Sequence, residues 1–337
     1  MKKILVTGGT GYIGSHIVVE LLELGYHPII FDNLSNSSSK VLTKISSIID
    51  QEFSFIEGDM RNFKDINNVF KAHNIYSVIH LAGYKSVKES IKKPLEYYDN
   101  NITGTINLLK AMMSNNIMSL VFSSSATVYG KPVELPLRET SKCGKLTNPY
   151  AKSKRIIEDM IVDISKSNKN FNTIILRYFN PVGAHHSGEI GEDPDGLPAN
   201  IMPFISKVAV GVIKEVKIFG DNYETQDGTG VRDYIHVVDL ANAHTQAISK
   251  INKLKGANIF NIGTGIGYSV LELINAYESV SGQKIPYKIE NRREGDIGTC
   301  FSDPSKANSI LDWQSKKTLV DMCKDSWNWQ SKNPHGY

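Results

Sequence analysis

The sequence lacks paired cysteines, an excess of charge of one sign, and any long apolar run. Its three cysteines, Cys143, Cys300 and Cys323, are far apart and odd in number, which speaks against a disulfide framework and matches no zinc-ligand spacing. A reducing cytoplasmic setting and no metal ion are therefore expected. Lys and Arg number 38 against 35 Asp and Glu, for a formal net charge of +3, and the two signs are interspersed. No basic stripe follows a phosphate backbone, so nucleic acid is not an expected partner. The opening run from Met1 to Gly9 is shorter than a signal-peptide core and ends in glycines. Nothing elsewhere approaches the roughly 20 apolar residues of a membrane span, so no membrane partner is expected.

What is present is enough apolar material, 41% of 337 residues, for one large or two ordinary domains. Short β-branched runs alternate with amphipathic stretches of helical length through the first half, the pattern of βαβ units around a parallel sheet. Strands are expected at Lys3–Thr7, Pro28–Asp32, Phe53–Glu57, Ser77–Leu81, Leu120–Ser123 and Thr173–Tyr178. A helix is expected from about Pro94 to Ser114, with Leu95, Tyr98, Ile102, Ile106 and Leu109 as its inward stripe. Gly183 to Pro203 is rich in Gly, Pro and acids and reads as a long loop. The fold class is thus α/β, a doubly wound parallel sheet of Rossmann type over residues 1–180, with a second, smaller α/β domain over 181–337. Tyr234–Leu240 and Ile259–Ile262 are candidates to return to the first sheet.

Directly after the first expected strand comes Thr7-Gly8-Gly9-Thr10-Gly11-Tyr12-Ile13-Gly14, opening the helical pattern Tyr12–Leu24. Gly8, Gly11 and Gly14 stand where a strand turns into a helix. There glycines allow a tight turn and a close approach of pyrophosphate, whose charge the helix N-terminus stabilises. Asp32 ends the second strand, placed to accept hydrogen bonds from an adenosine ribose diol, and Asn33 to Ser39 holds no arginine to greet a 2′-phosphate. NAD is the expected cofactor. A second glycine-rich stretch, Gly263 to Gly267, has the wrong spacing, and Ser269 with Glu272 reads as a capping box that already satisfies its helix.

Tyr-x-x-x-Lys occurs at Tyr84/Lys88 and at Tyr150/Lys154. Chance accounts for the first. At the second, Asn148 and Pro149 read as an N-cap and first helical residue, so Tyr150 and Lys154 lie one turn apart on one helix face. A tyrosine used as a base at neutral pH needs its phenolate stabilised by roughly 3 pH units, about 4 kcal/mol. Lys154, the helix N-terminus and a positive nicotinamide all push that way. Ser123-Ser124-Ser125 closes the fifth strand at the carboxyl edge of the sheet, where open α/β folds bind ligands. Ser125 and Thr127 are the candidates to share a substrate proton, with Ser123 and Ser124 as plain strand-end caps.

Together these residues resemble the extended short-chain dehydrogenase/reductase family. The likeness to its UDP-glucose (UDP-galactose) 4-epimerases runs along the whole chain, through Val6–His16, Lys93–Asn101, Ser123–Gly130, Leu176–Ala184, Asp227–His236 and Arg292–Asp296. The resemblance implies that Tyr12, Ile13, Asp32, Asn33, Asn36, Ser37, Asp59, Met60, Leu81, Ala82, Gly83, Lys85, Asn100 and Phe179 line NAD with Tyr150 and Lys154. It also implies that Asn180, Asn200, Phe219, Arg232, Arg293 and Asp296 hold a UDP-sugar. His185 and His236 are read as structural. The chemistry implied is inversion at C4 of UDP-glucose and UDP-galactose through a 4-keto intermediate. Cys300 falls in the segment beside the hexose, where some relatives carry tyrosine, and its small size implies room for N-acetylated UDP-hexoses. A homodimer is implied, pairing through residues about 94–114 and 149–166. Two rivals stand beside this reading. A nucleotide-sugar 4,6-dehydratase or decarboxylase of the same superfamily needs an acid where Ala126 and Thr127 stand. A non-catalytic NAD-binding regulator would be expected to have lost the Ser125, Tyr150, Lys154 triad.

Overall fold

The computed structural model describes every residue except Asp195, Leu197, Ala199 and Glu294. In chain order its strands are β1 Lys3–Thr7, β2 His27–Asp32, β3 Ser54–Glu57, β4 Ile75–His80, β5 Ser119–Ser125, β6 Asn172–Tyr178, β7 Asn180–Val182, β8 Val216–Phe219, β9 Val231–His236, β10 Ala257–Ile262, β11 Gly267–Ser269, β12 Tyr287–Glu290 and β13 Thr299–Cys300. The helices are α1 Tyr12–Glu23, α2 Lys40–Ile48, α3 Phe63–Ala72, α4 Val87–Lys92, α5 Pro94–Tyr98, α6 Gly104–Ser114, α7 Pro149–Ser167, α8 Ile201–Ala209, α9 Val237–Lys250, α10 Val270–Ser281, α11 Ser305–Ile310 and α12 Leu319–Lys332.

Seven strands form one parallel sheet in the order β10-β6-β5-β4-β1-β2-β3. The near-continuous apolar runs of β1, β2 and β4 to β6 suit strands covered on both faces. One face carries Ile17, Val18, Leu21 and Leu22 of α1 with Leu240, Ala243 and Ala247 of α9. The other carries Ile66 and Val69 of α3, Leu108 and Met112 of α6, and Ile157 and Ile161 of α7. The chain moves outward from β1 in both directions, through β2 and β3 on one side and β4 to β6 on the other. The reversal between β1 and β4 opens a crevice at the carboxyl ends of the strands, the usual ligand position of this Rossmann-type fold.

Of the two segments expected to return, Ile259–Ile262 does so within β10. Tyr234–Leu240 does not join the large sheet as a strand, since its first three residues end the strand Val231–His236 and the rest begin α9. That strand, β9, belongs to a small sheet, pairing with β11, with β13 along Val231 and Arg232, and with β7 along Tyr234 to His236. Only α9, directly after it, packs on α1 of the large sheet. A third core lies under α8, α10 and α12. Among the described residues no helix is long and apolar enough to cross a membrane.

The expected helix 94–114 runs without a break but contains a π-helical turn. Between α5 and α6, Asp99–Thr103 forms that turn, and the residue it inserts rotates everything before it relative to α6. Leu95, expected on the inward stripe, is consequently 80% exposed, while Leu109 is buried. The turn also swings Asn101 inward, where its side chain accepts from Tyr84 N at 2.8 Å and donates to Tyr84 O and Ser153 Oγ, both at 3.1 Å. The long loop expected to Pro203 is shorter, because α8 starts at Ile201.

Candidate active site

The glycine loop is built by contact distances that only hydrogen side chains allow. Gly8 has φ +74°, and a Cβ there would lie 2.8 Å from Ala82 N; a Cβ on Gly14 would lie 2.1 Å from Gly8 O. The loop thus packs β1, the β4 exit and α1 together. Helix α1 starts at an N-cap, Gly11, that offers no side-chain bond, and its first turn holds no acid. Its leading N–H groups remain free for an anion. The contrast with α10 is direct, since Ser269 and Glu272 form a complete capping box there. Asp233 further accepts from Thr264 N, Thr264 Oγ1 and Gly265 N, closing that second glycine stretch from within.

The residues expected around a dinucleotide gather along one sheet edge. After β2, Asp32 accepts from Thr10 N at 3.2 Å and Leu34 N at 3.0 Å, with Ser37 Oγ at 3.4 Å, while Asn33 and Asn36 stay at the surface side. After β3, Asp59 accepts from Asn33 Nδ2 and from both Nε and Nη2 of Arg61, and that arginine holds its carboxyl down at about 2. Met60 is buried under Gly104. After β4, Leu81 and Ala82 both donate to Thr7 O, and Gly83 abuts Asn101. Asn100 donates to Asn101 Oδ1, Ile13 is half-buried at the head of α1, and Phe179 is buried beyond β6. A glycine cradle, an uncapped helix N-terminus and a carboxylate at the end of β2 fit a dinucleotide with an unphosphorylated ribose.

Further along the edge, β5 runs to Ser125 rather than stopping at Ser123. Ser123 and Ser124 are therefore inside the strand, not caps. Ser123 Oγ bonds His244 Nε2 at 2.6 Å, and Ser124 Oγ donates to Glu158. Ser125 is the first hydroxyl free of such ties. It caps the 3₁₀ turn Ala126–Tyr129, accepting from Thr127 N at 3.2 Å and Thr127 Oγ1 at 3.0 Å. Asn148 caps α7 through Ala151 N, with Pro149 at N1. Both Tyr150 and Lys154 are 5% exposed. Tyr84 and Lys88 share no helix, since α4 starts at Val87.

The electrostatics of the pair differ from expectation. Burial raises the Tyr150 phenol above its ordinary value, and only the nearby Ser125 hydroxyl pulls it back. Lys154 donates to Ser123 O at 2.8 Å and sits 4.9 Å over the Phe122 ring. Burial brings its ammonium down to about 8, against the pull of Glu158. Lys154 is thus anchored to the sheet, and the protein alone does not depress the phenol.

Asn180 begins β7, Asn200 is the N-cap position of α8, and Phe219 ends β8 beneath Arg293, whose guanidinium is 3.6 Å from its ring. Arg232 and Cys300 are register partners on β9 and β13. Asp296 follows Arg293, with its N donating to Arg293 O. Cys300 joins Ala126 and Cys143 around the core cluster of Val128, Tyr129, Leu137 and Phe179, and burial pushes its thiol up to about 11. His185 bonds Ser187 and His236 bonds Asp325, both internal ties. Four neighbours escaped the sequence reading. Tyr178, at the end of β6, is raised well above its ordinary value by burial, with Tyr150 near enough to add to the effect. Burial and the nearby Asp296 raise the Tyr223 phenol against the pull of Arg292, Arg232 and Arg293, and Arg292 stacks on it at 3.9 Å. Glu192 accepts from both Lys85 and Asn200. Among the described residues no group of three or more His, Cys, Asp or Glu could hold a metal ion.

Residues 5–326 match the family model described as GDP-mannose 4,6 dehydratase. Over 334 residues the chain is 52% identical to UDP-glucose 4-epimerase of Pasteurella multocida, covering 99% of each. The crystal structure of UDP-glucose 4-epimerase from Bifidobacterium longum, in complex with NAD+ and UDP, superimposes with a TM-score of 0.97 at 50% identity, covering 100% of both chains. The UDP-Glc/GlcNAc 4-epimerase of Campylobacter jejuni superimposes at 0.86 with 34% identity, covering 98% of this chain and 100% of that one.

Proposed function

The chain belongs to the UDP-glucose 4-epimerase family, and on that premise we infer that it is an NAD-dependent enzyme inverting C4 of UDP-hexoses, interconverting UDP-glucose and UDP-galactose. The observation that carries the reading is the group Ser125, Thr127, Tyr150 and Lys154 at the carboxyl edge of the sheet, beside an uncapped glycine-loop helix. NAD, when bound, supplies the acceptor that takes hydrogen with its electron pair from sugar C4 and returns it to the other face. Gly8, Gly11 and Gly14 would make room for its pyrophosphate, the N–H groups at Tyr12 and Ile13 would meet that charge, and Asp32 would accept from the ribose diol. Lys154, held on Ser123 O one helical turn from Tyr150, would line the cofactor beside the phenol.

Tyr150 takes the proton of the 4-hydroxyl and gives it back, while Ser125 and Thr127 share that proton through their mutual bond. Arg232 and Arg293 match the diphosphate, and Asn180, Asn200, Phe219 and Asp296 hold the uridine and its ribose. Residues 181–337 would then form the sugar-nucleotide side of the molecule, against a cofactor side of 1–180. Ala126 and Thr127 offer no acid to eliminate water from C5 and C6, which supports epimerisation over 4,6-dehydration despite the name of the family model. Cys300, small and with its thiol raised by burial, supports turnover of UDP-GlcNAc and UDP-GalNAc as well. Ile91, Leu95 and Ile156 are exposed apolar residues on α4, α5 and α7, which pack together and would form the homodimer face. The free thiols of Cys143, Cys300 and Cys323 support a reducing, cytoplasmic setting.

Incubating the purified protein with UDP-galactose, without added NAD, tests the reading. UDP-glucose is the expected product. A 4-keto-6-deoxy sugar would make it a dehydratase, and no turnover would leave a non-catalytic regulator.

A further inference from the structure

Two of the residues assigned above, Lys85 on the cofactor side and Asn200 on the sugar side, meet at one acceptor. Glu192 Oε1 accepts from Lys85 Nζ at 2.9 Å and from Asn200 Nδ2 at 3.1 Å. The Glu192 side chain is 9% exposed while that of Lys85 is 46% exposed, so the carboxylate is the fixed member and the lysine the adjustable one. The same point ties into the cofactor helix. The Lys85 ammonium lies 6.0 Å from the Tyr12 ring centre. The Tyr12 hydroxyl donates to Gly183 O at 2.7 Å, and burial and the Glu192 charge together keep that phenol protonated. Gly183 follows β7, which carries Asn180, so Tyr12 ties Gly183 to the first turn of α1 and Glu192 ties to Lys85 in the loop after β4.

We propose that Glu192 is a positioning residue that couples cofactor binding to sugar-nucleotide binding, by holding Lys85 and Asn200 on one carboxylate oxygen. The proposal rests on the assignment of Lys85 to NAD and Asn200 to the UDP-sugar. The physical basis is a shared, nearly buried acceptor. Ordering either donor by its ligand fixes Glu192 and thereby the other donor, so part of the ordering needed for the second ligand is already done when the first is bound. Linkage makes the effect reciprocal. Glu192 touches no reacting atom, and the interconversion step itself does not require it.

The test uses the NAD-loaded protein, with UDP as the probe of the sugar site. UDP should slow the release of NAD from the parent by a factor within about 5 to 150, the usual range of such coupling. Glu192→Ala should abolish that slowing and raise KM for UDP-galactose by a similar factor, with kcat at saturation changed by less than about threefold. Glu192→Gln keeps an oxygen that accepts from both donors and should recover most of the KM and of the UDP effect. Since the glutamine variant preserves shape, it carries the test if the alanine variant does not fold, and its predicted coupling must then exceed that of Glu192→Leu. Undiminished coupling in Glu192→Ala, no coupling in the parent, or a loss confined to kcat would each overturn the proposal. Lys85→Ala and Asn200→Ala separate it from its premise. If neither weakens NAD or UDP, the residue assignment fails, whereas if both do so while Glu192→Ala does not, only the coupling fails.

Discussion

Tyr150 is held in surroundings that oppose the task assigned to it. Burial favours its neutral form, and the anchoring of Lys154 on Ser123 O keeps that charge committed to the sheet. The depression of roughly 3 pH units that a tyrosine base needs at neutrality must then come with the cofactor's own positive charge. Tyr150→Phe should retain NAD and lose epimerisation by at least about 10²-fold, because a phenyl ring fills the space without carrying a proton. Turnover within tenfold of the parent, about 1.4 kcal/mol of barrier, would remove the tyrosine from the mechanism. Cys300 supplies the second expectation at this scale. It packs against the cluster of Val128, Tyr129, Leu137 and Phe179 with its thiol pushed up to about 11, so it acts by size rather than as a nucleophile. Cys300→Tyr should reduce turnover of UDP-GlcNAc by about 10- to 200-fold and leave UDP-galactose nearly unchanged. Equal effects on both substrates, measured as kcat/KM, would show that this position does not set the range.

At the scale of elements, the placement of α7 decides where Tyr150 points, and one buried ion pair fixes that helix to the sheet. Glu158 on α7 accepts from Arg177 Nε at 3.0 Å and Nη2 at 2.6 Å, and also from Ser124 of β5. The guanidinium stacks 4.8 Å over Tyr129, and both charged side chains are almost fully buried. Removing the carboxylate strands a buried cation, so Glu158→Ala should lower stability by about 3–5 kcal/mol in urea unfolding. A double variant, Glu158→Met with Arg177→Met, should recover much of that loss, since a well-packed apolar pair avoids the desolvation of both charges. If the double variant is less stable than the single one, the pair contributes more than orientation. Elements of this kind were unevenly legible in the sequence. The strands at Lys3–Thr7 and Pro28–Asp32 and the capping box at Ser269 are written in local spacing, and the structure has them. The π turn at Asp99–Thr103 is not, because a single inserted residue leaves the apolar pattern intact and only shifts which side of it faces inward. Ser123 and Ser124 looked like caps because their partners, His244 and Glu158, come from far along the chain.

Across the whole molecule, the carboxyl edge of the sheet collects residues from β1 through β13, and the sequence revealed best those that sit next to a turn signal. Gly8 to Gly14, Asp32 and Asn148-Pro149-Tyr150 carry their own local context. Glu192 meets Lys85 across 107 residues of chain in a stretch with no periodicity, so no pattern could announce it. The same long-range packing buries histidines. His80 lies between Thr7 Oγ1 and Thr105 Oγ1, and His244 between Ser123 Oγ and Leu240 O, while His16 bonds Tyr12 O. Burial lowers His16 and His80 to about 3 and His244 to about 4, with Lys154 adding to the effect on His80. In the unfolded chain each takes up a proton near the ordinary 6.5, so between about pH 6.5 and 4 the unfolded state binds more protons than the folded one. Stability must therefore be fully present above pH 6.5 and fall as the pH drops through that window. Asp59, held at about 2, adds its own loss only below about pH 4. With His185, which burial also lowers to about 4, four such histidines set a slope near 5 kcal/mol per pH unit around pH 5, as an order of magnitude. Urea unfolding at about pH 7.5, 6.5, 5.5 and 5.0, from above that window into its upper part, should show a plateau followed by this decline. His80→Gln, which keeps a donor and an acceptor but does not titrate, should flatten the slope by about one quarter relative to its own plateau. A stability unchanged down to pH 5 would mean that these rings are protonated in the folded protein or exchange with water far more readily than their burial allows.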